Sequence, residues 1–196
     1  MKMQTYFRSM NAVVVALAVS GVMATGAQAQ DMPAPAGLPF SGTFETSAVD
    51  TNADGIKAFR QSVRVIDAVA GDSSIEGLTE FSQGVPATCP SGNRGLRLTL
   101  LATPTAPAAL VQRFDNTGDL LSLTVTAGSA CQELRPGNAL GRLFLQASGN
   151  IVGGTGALAG ATGTFSVSAE GSLSFLTIND LFGSQVGTLQ QTIVLP

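Results

Sequence analysis

From Phe40 to the end of the chain, short runs rich in Val, Leu, Phe and Thr are cut by Gly, Asn, Asp and Pro about every 8 to 14 residues. Segments that short fit strands, and their regular spacing predicts a sandwich or barrel. Several runs alternate with period two. Leu96, Leu98 and Leu100 are separated by Arg97 and Thr99, Leu121, Leu123 and Val125 by Ser122 and Thr124, and Phe165 and Val167 by Ser166. Such alternation turns one face of a strand to a core and the other to water. The pattern predicts strands at 40–48, 61–69, 76–83, 95–103, 108–114, 119–127, 141–152, 163–176 and 185–195. Asp115-Asn116-Thr117-Gly118-Asp119 reads as a tight turn, with Asn and Gly supplying positive φ. Residues 56–68 also fit a short helix through Ile56, Phe59, Val63 and Ile66. An irregular start followed by a strand is preferred there.

The first 29 residues read as an export signal. Lys2 and Arg8 precede an apolar stretch from Ala12 to Ala24, and Ala27-Gln28-Ala29 offers small residues for cleavage before Gln30. A membrane anchor is the competing reading, but the stretch falls short of the roughly 20 apolar residues that span a bilayer. No Cys sits at the cleavage point to carry a lipid. Residues 30–39, with Pro33, Pro35 and Pro39, form an extended lead-in, and 40–196 form one domain. The expected location is secreted or periplasmic.

Composition removes several functions. Of 196 residues, none is His or Trp, and the one Tyr, Tyr6, lies in the leader. Without His there is no Ser-His-Asp or Cys-His mechanism and none of the usual imidazole metal sites. No cofactor is expected. Removing Lys2 and Arg8 leaves 8 basic residues (10 less 2) against 13 acidic ones, with the basic residues scattered. Nucleic acid and anionic membranes are poor partners for such a surface. An outer-membrane barrel would need aromatic girdles at both interfaces, which Phe alone does not supply.

Cys89 and Cys131 are the only cysteines. In an exported chain they predict a disulfide, the alternative being two free thiols with one nucleophilic. Asp50, Asn52 and Asp54 with Gly55 resemble the first half of a calcium loop, but its twelfth position is Gln61 where a bidentate Glu is needed, and Asp67 is too far along to replace it. A turn before a strand is the simpler reading. Asp115 and Asp119 flank one turn, and Glu76 and Glu80 share a strand face. Both pairs read as solvated charges, with Arg94, Arg97, Arg113 and Arg142 as outward-facing partners.

The most distinctive stretch runs from Gly153 through Gly154, Thr155, Gly156 and Gly160 to Gly163. It lacks the Lys of a phosphate loop and is followed by strand-like Thr164, Phe165 and Val167, so it predicts a glycine-rich connection between strands. Ile151-Val152-Gly153-Gly154-Thr155-Gly156-x-Leu158-Ala159-Gly160-Ala161-Thr162-Gly163-Thr164-Phe165 resembles the GGTG-x-F-x-GA-x-G stretch of dirigent proteins and of the allene oxide cyclase barrel superfamily. It is more similar still to exported bacterial proteins of unknown function. Further landmarks in those proteins match the Asp50 to Gly55 turn, Thr79-Glu80-Phe81, Cys89-Pro90, Asp115 to Leu120 and Cys131. Leu158 stands where the family usually has Phe, and Ala157 where it often has Arg. The resemblance implies an all-β, eight-stranded antiparallel barrel, calycin-like in outline, and assigns no activity. Three roles stay open: a non-enzymatic exported barrel that binds or builds structure; a barrel that binds, isomerises or cyclises a small apolar molecule in its lumen; and a calcium-dependent adhesion or envelope module.

Overall fold

The structure, a computed structural model, describes residues 37–47, 58–102, 108–133, 140–177 and 180–196. The expected leader, residues 30–36 of the lead-in and the Asp50 to Gly55 turn lie outside them. Ten strands are described: β1 (Leu38–Thr46), β2 (Phe59–Val65), β3 (Ser73–Phe81), β4 (Val85–Thr88), β5 (Arg94–Leu101), β6 (Ala108–Phe114), β7 (Leu120–Glu133), β8 (Leu140–Gly154), β9 (Thr162–Thr177) and β10 (Asp180–Val194). Each predicted run overlaps one of them. The ambiguous stretch at 56–68 contains strand β2. β4 went unpredicted because Pro86 and the following Cys-Pro read as loop.

The ladder order β2-β1-β10-β9-β8-β7-β6-β3 closes on itself through β2 and β3, giving an eight-stranded antiparallel barrel. One position in its wall is shared. The first half of β7 pairs with β6, from Arg113↔Leu120 to Ala108↔Val125. Its second half pairs with β5, from Thr99↔Ser129 to Gly95↔Glu133. β3 makes the same exchange, pairing with β6 through Leu78 and with β5 at Glu80 and Phe81. β5 and β6 are thus one wall strand interrupted in the middle. β4 forms a hairpin with β5 at the rim, Val85↔Arg97 to Thr88↔Arg94.

The alternation seen in the sequence fills the lumen. Leu121, Leu123 and Val125 on β7 are buried, with Phe165 and Leu173 on β9 and Leu189 on β10. Three buried rings each face a glycine in register on the next strand: Phe40 on Gly187, Phe44 on Gly183, and Phe165 on Gly149. A Cβ at Gly183 would lie 2.4 Å from the Phe44 ring, and one at Gly149 would lie 2.7 Å from that of Phe165. At these three positions the inward ring fits because the opposite residue has no side chain. The outer wall over β8, β9 and β10 is largely hydroxyl and amide, in cross-strand pairs such as Gln146↔Ser168, Ser148↔Ser166 and Thr164↔Thr192, with Val152, Phe182, Val186 and Val194 exposed among them. The apolar interior is the reverse of that in a lipid-facing barrel, whose lumen is polar. Among the described residues no helix is long and apolar enough to cross a membrane.

Candidate functional site

The apolar lumen carries a few polar side chains, and six of those described form two chains of hydrogen bonds. Near the middle, Gln185 Nε2 donates to Gln61 Oε1 at 2.9 Å, and Gln61 Nε2 donates to Thr79 Oγ1 at 3.1 Å. Toward the rim that holds the glycine-rich connection, Gln191 Nε2 donates to Gln112 Oε1 at 2.6 Å, and Gln112 Nε2 donates to Ser73 Oγ at 2.8 Å. Thr79, Gln185, Gln112 and Ser73 are all buried. β2, β3 and β10 bring the first group together, because Gln61, Thr79 and Gln185 all occupy inward positions on them. In the sequence these residues look like surface positions. Only their parity with apolar neighbours (Val63 and Val65, Ile75 and Phe81, Leu189) would have marked them.

Two cavities flank the first group. One holds about 60 Å³ and is bounded by Gln185, Gln61, Thr79, Leu123, Val125 and Phe165 among others. The second holds about 30 Å³, nearer the opposite rim, between Phe44, Phe59, Leu98 and Leu173. Gln61, Phe81 and Leu145 belong to both walls and separate them. Among the described residues, no side chain lining either cavity is ionisable. Small-molecule sites usually measure roughly 300–1,000 Å³, so in this conformation the barrel does not enclose a drug-sized ligand.

The glycine-rich stretch leaves β8 at Gly153 and Gly154, makes a single 3-10 turn at Gly156–Leu158, and enters β9 before Gly163. Gly156 and Gly160 have φ of +56° and +74°, the left-handed region where a side chain is strained. Thr155 ties the connection to β7: its N–H donates to the Leu120 carbonyl at 2.9 Å, and its Oγ1 accepts from the Leu120 N–H at 3.0 Å. The Asp119 carboxylate accepts from the Ala157 N–H at 3.3 Å. Leu158 is half-buried against the core. The stretch and the Asp115 to Asp119 turn therefore meet at one rim and make a structural joint. Of its two carboxylates, Asp119 accepts from backbone there and Asp115 pairs with Arg64.

Cys89 and Cys131 form a disulfide with S–S of 2.05 Å. It fastens the β4–β5 turn to β7 at the opposite rim. Beside it Glu133 is 1% exposed, a residue the sequence did not single out. Ser91 Oγ donates to one Glu133 carboxylate oxygen and Asn93 Nδ2 to the other. The turn thus folds over a buried carboxylate and hydrogen-bonds it.

Two charge assignments need correction. Glu76 is exposed as expected, but Glu80 is 2% exposed and not a solvated charge. It sits where β3 changes partner from β6 to β5, and the strand is covered there. The arginines also pair differently. Asp115 meets Arg64 at 3.1 Å, and Arg64 meets Asp72 at 3.0 Å. Arg142 meets Glu170 at 2.8 Å and lies over the Phe144 ring. The hydrogen bond to Asp72, then the nearby Asp115 charge, hold the Arg64 guanidinium above its ordinary range. Arg94, Arg97 and Arg113 face outward as expected. The calcium candidates Asp50, Asn52 and Asp54 lie outside the described residues. No protein-family model, curated protein or solved structure matches this chain.

Proposed function

We propose that this protein is an exported, non-enzymatic β-barrel that acts by binding or as a structural element in the periplasm or outside the cell. The observation that carries the reading is the character of the lumen. The two cavities described there are small, and no ionisable group among the described residues lines them. General acid–base chemistry needs a titratable group held against a substrate, and these chambers offer amides and a hydroxyl instead. The disulfide supports passage through an oxidising compartment. Two experiments test the proposal. N-terminal sequencing of the exported protein should begin at Gln30. Mass spectrometry of small molecules released from it on denaturation should find no drug-sized compound in stoichiometric amount.

A second reading keeps a small apolar molecule in the lumen, held in shape as in the allene oxide cyclase and dirigent barrels that the Gly153 to Phe165 stretch resembles. It draws support from the shared wall between the two cavities, since a swing of Phe81 and Leu145 would join them. A stoichiometric terpenoid- or lipid-sized molecule in the same extraction would overturn the first reading in favour of this one.

A further inference from the structure

Gln185 stands inside the barrel on β10 and is 4% exposed. Its amide nitrogen is engaged by Gln61, but its Oε1 is buried without a hydrogen-bond donor. Folded proteins leave few buried polar atoms unpaired, because such an atom has given up its water and received nothing in exchange. The oxygen belongs to a side chain lining the 60 Å³ cavity. Thr79, which accepts from Gln61 in the same wall, retains a hydroxyl hydrogen to give.

We infer that this cavity is a binding site for a compact neutral molecule bearing an O–H group, which donates to Gln185 Oε1 and accepts from the Thr79 hydroxyl. The remaining wall is Leu123, Val125, Phe165, Leu189 and similar side chains, which would receive a short alkyl group or nothing. An ion is disfavoured by chemistry: no lining group among the described residues carries a compensating charge, and an unpaired ion in such a wall is costly. Size sets the other limit. A chamber of about 60 Å³ suits a few waters or one short-chain alcohol and nothing drug-sized. Both sources share one chemistry, a small neutral hydroxyl donor. The inference goes beyond the proposed role, since it holds whatever the outer wall binds.

Water-selective nuclear Overhauser spectra of the processed protein, recorded alone and then with ¹³C-methanol, test it. The expected result is a long-lived water signal to the Gln185 side-chain amide and to the Leu123, Val125 and Leu189 methyls. Methanol should replace it with methyl-to-methyl contacts at the same residues. Water contacts that persist unchanged in methanol support the site with water as its occupant. The absence of both sets in the folded wild type overturns the proposal. Gln185→Met should abolish the contacts while the amide spectrum stays folded, and contacts surviving in that variant would overturn the role of Oε1. If Gln185→Met does not fold, Thr79→Val supplies the same comparison, and the wild-type spectra remain decisive alone. Extraction of a drug-sized molecule, which would sink the proposed function, is a separate outcome from any of these.

Discussion

Replacing both Cys89 and Cys131 by Ala tests how much of the barrel's stability resides in one cross-link. The bond closes a loop of 42 residues that contains β5, β6 and β7 as far as Cys131. Removing it frees those three strands in the unfolded chain. The chain-entropy relation for a loop of that length gives about 4 kcal/mol. In a domain of this size 1 kcal/mol moves the melting temperature by roughly 2–4 °C, so the variant should melt roughly 8–16 °C lower. It should still fold, because the β5–β7 ladder from Gly95↔Glu133 to Thr99↔Ser129 does not depend on the sulfurs. Alanine is the proper replacement: Cys89 and Cys131 are 3% and 8% exposed, and a serine hydroxyl there would need its own partner. Fluorescence is of little use, since the chain has no Trp and its one Tyr lies in the expected leader. Urea unfolding followed by far-ultraviolet circular dichroism is the assay. A variant within about 1 kcal/mol of its oxidised parent, with an unchanged denaturant slope, would refute the loop-closure reasoning.

Other changes probe the packing. Gly149→Ala would set a Cβ 2.1 Å from the Thr124 carbonyl oxygen as well as against Phe165, and overpacking of this kind costs about 1–3 kcal/mol or more in urea unfolding. Adding Phe165→Leu should not restore the loss, because the backbone oxygen stays in place. Leu123→Ala, at a site 2% exposed, should cost about 2–5 kcal/mol by the same measurement. Asp119→Ala should cost about 1 kcal/mol and raise amide exchange chiefly at Ala157, whose N–H loses its acceptor.

Strand placement was legible wherever a run alternated cleanly. The alternation of Leu96 to Leu100 and of Leu121 to Val125 tells inside from outside by itself. The extension of β7 to Glu133 was not legible, because Ala127-Gly128-Ser129-Ala130 has no apolar rhythm and the register slips between Val125 and Ala127. After that slip the inward residues change parity, which no period-two reading follows. The fusion of β5 and β6 into one wall position was invisible for a similar reason: each half reads as a complete short strand. The lumen polar group was hidden by residue type. Gln61 drew notice only as a failed calcium ligand, Thr79 only as part of the Thr79-Glu80-Phe81 landmark, and Gln185 not at all. Glu80 and Glu133 were hidden likewise, since burial of a carboxylate depends on what folds over it, here the Ser91 to Asn93 turn for Glu133.

The interrupted wall strand has a consequence for how the chain is threaded. Because β1 lies beside β10, the order of strands around the barrel has no natural beginning. A gene rewired to run from Ala108 round to Pro196, onward through a linker to Gly37, and out at Leu101 would sever no rung of the sheet. The place where the wall is already made of two pieces is where the polypeptide can be cut.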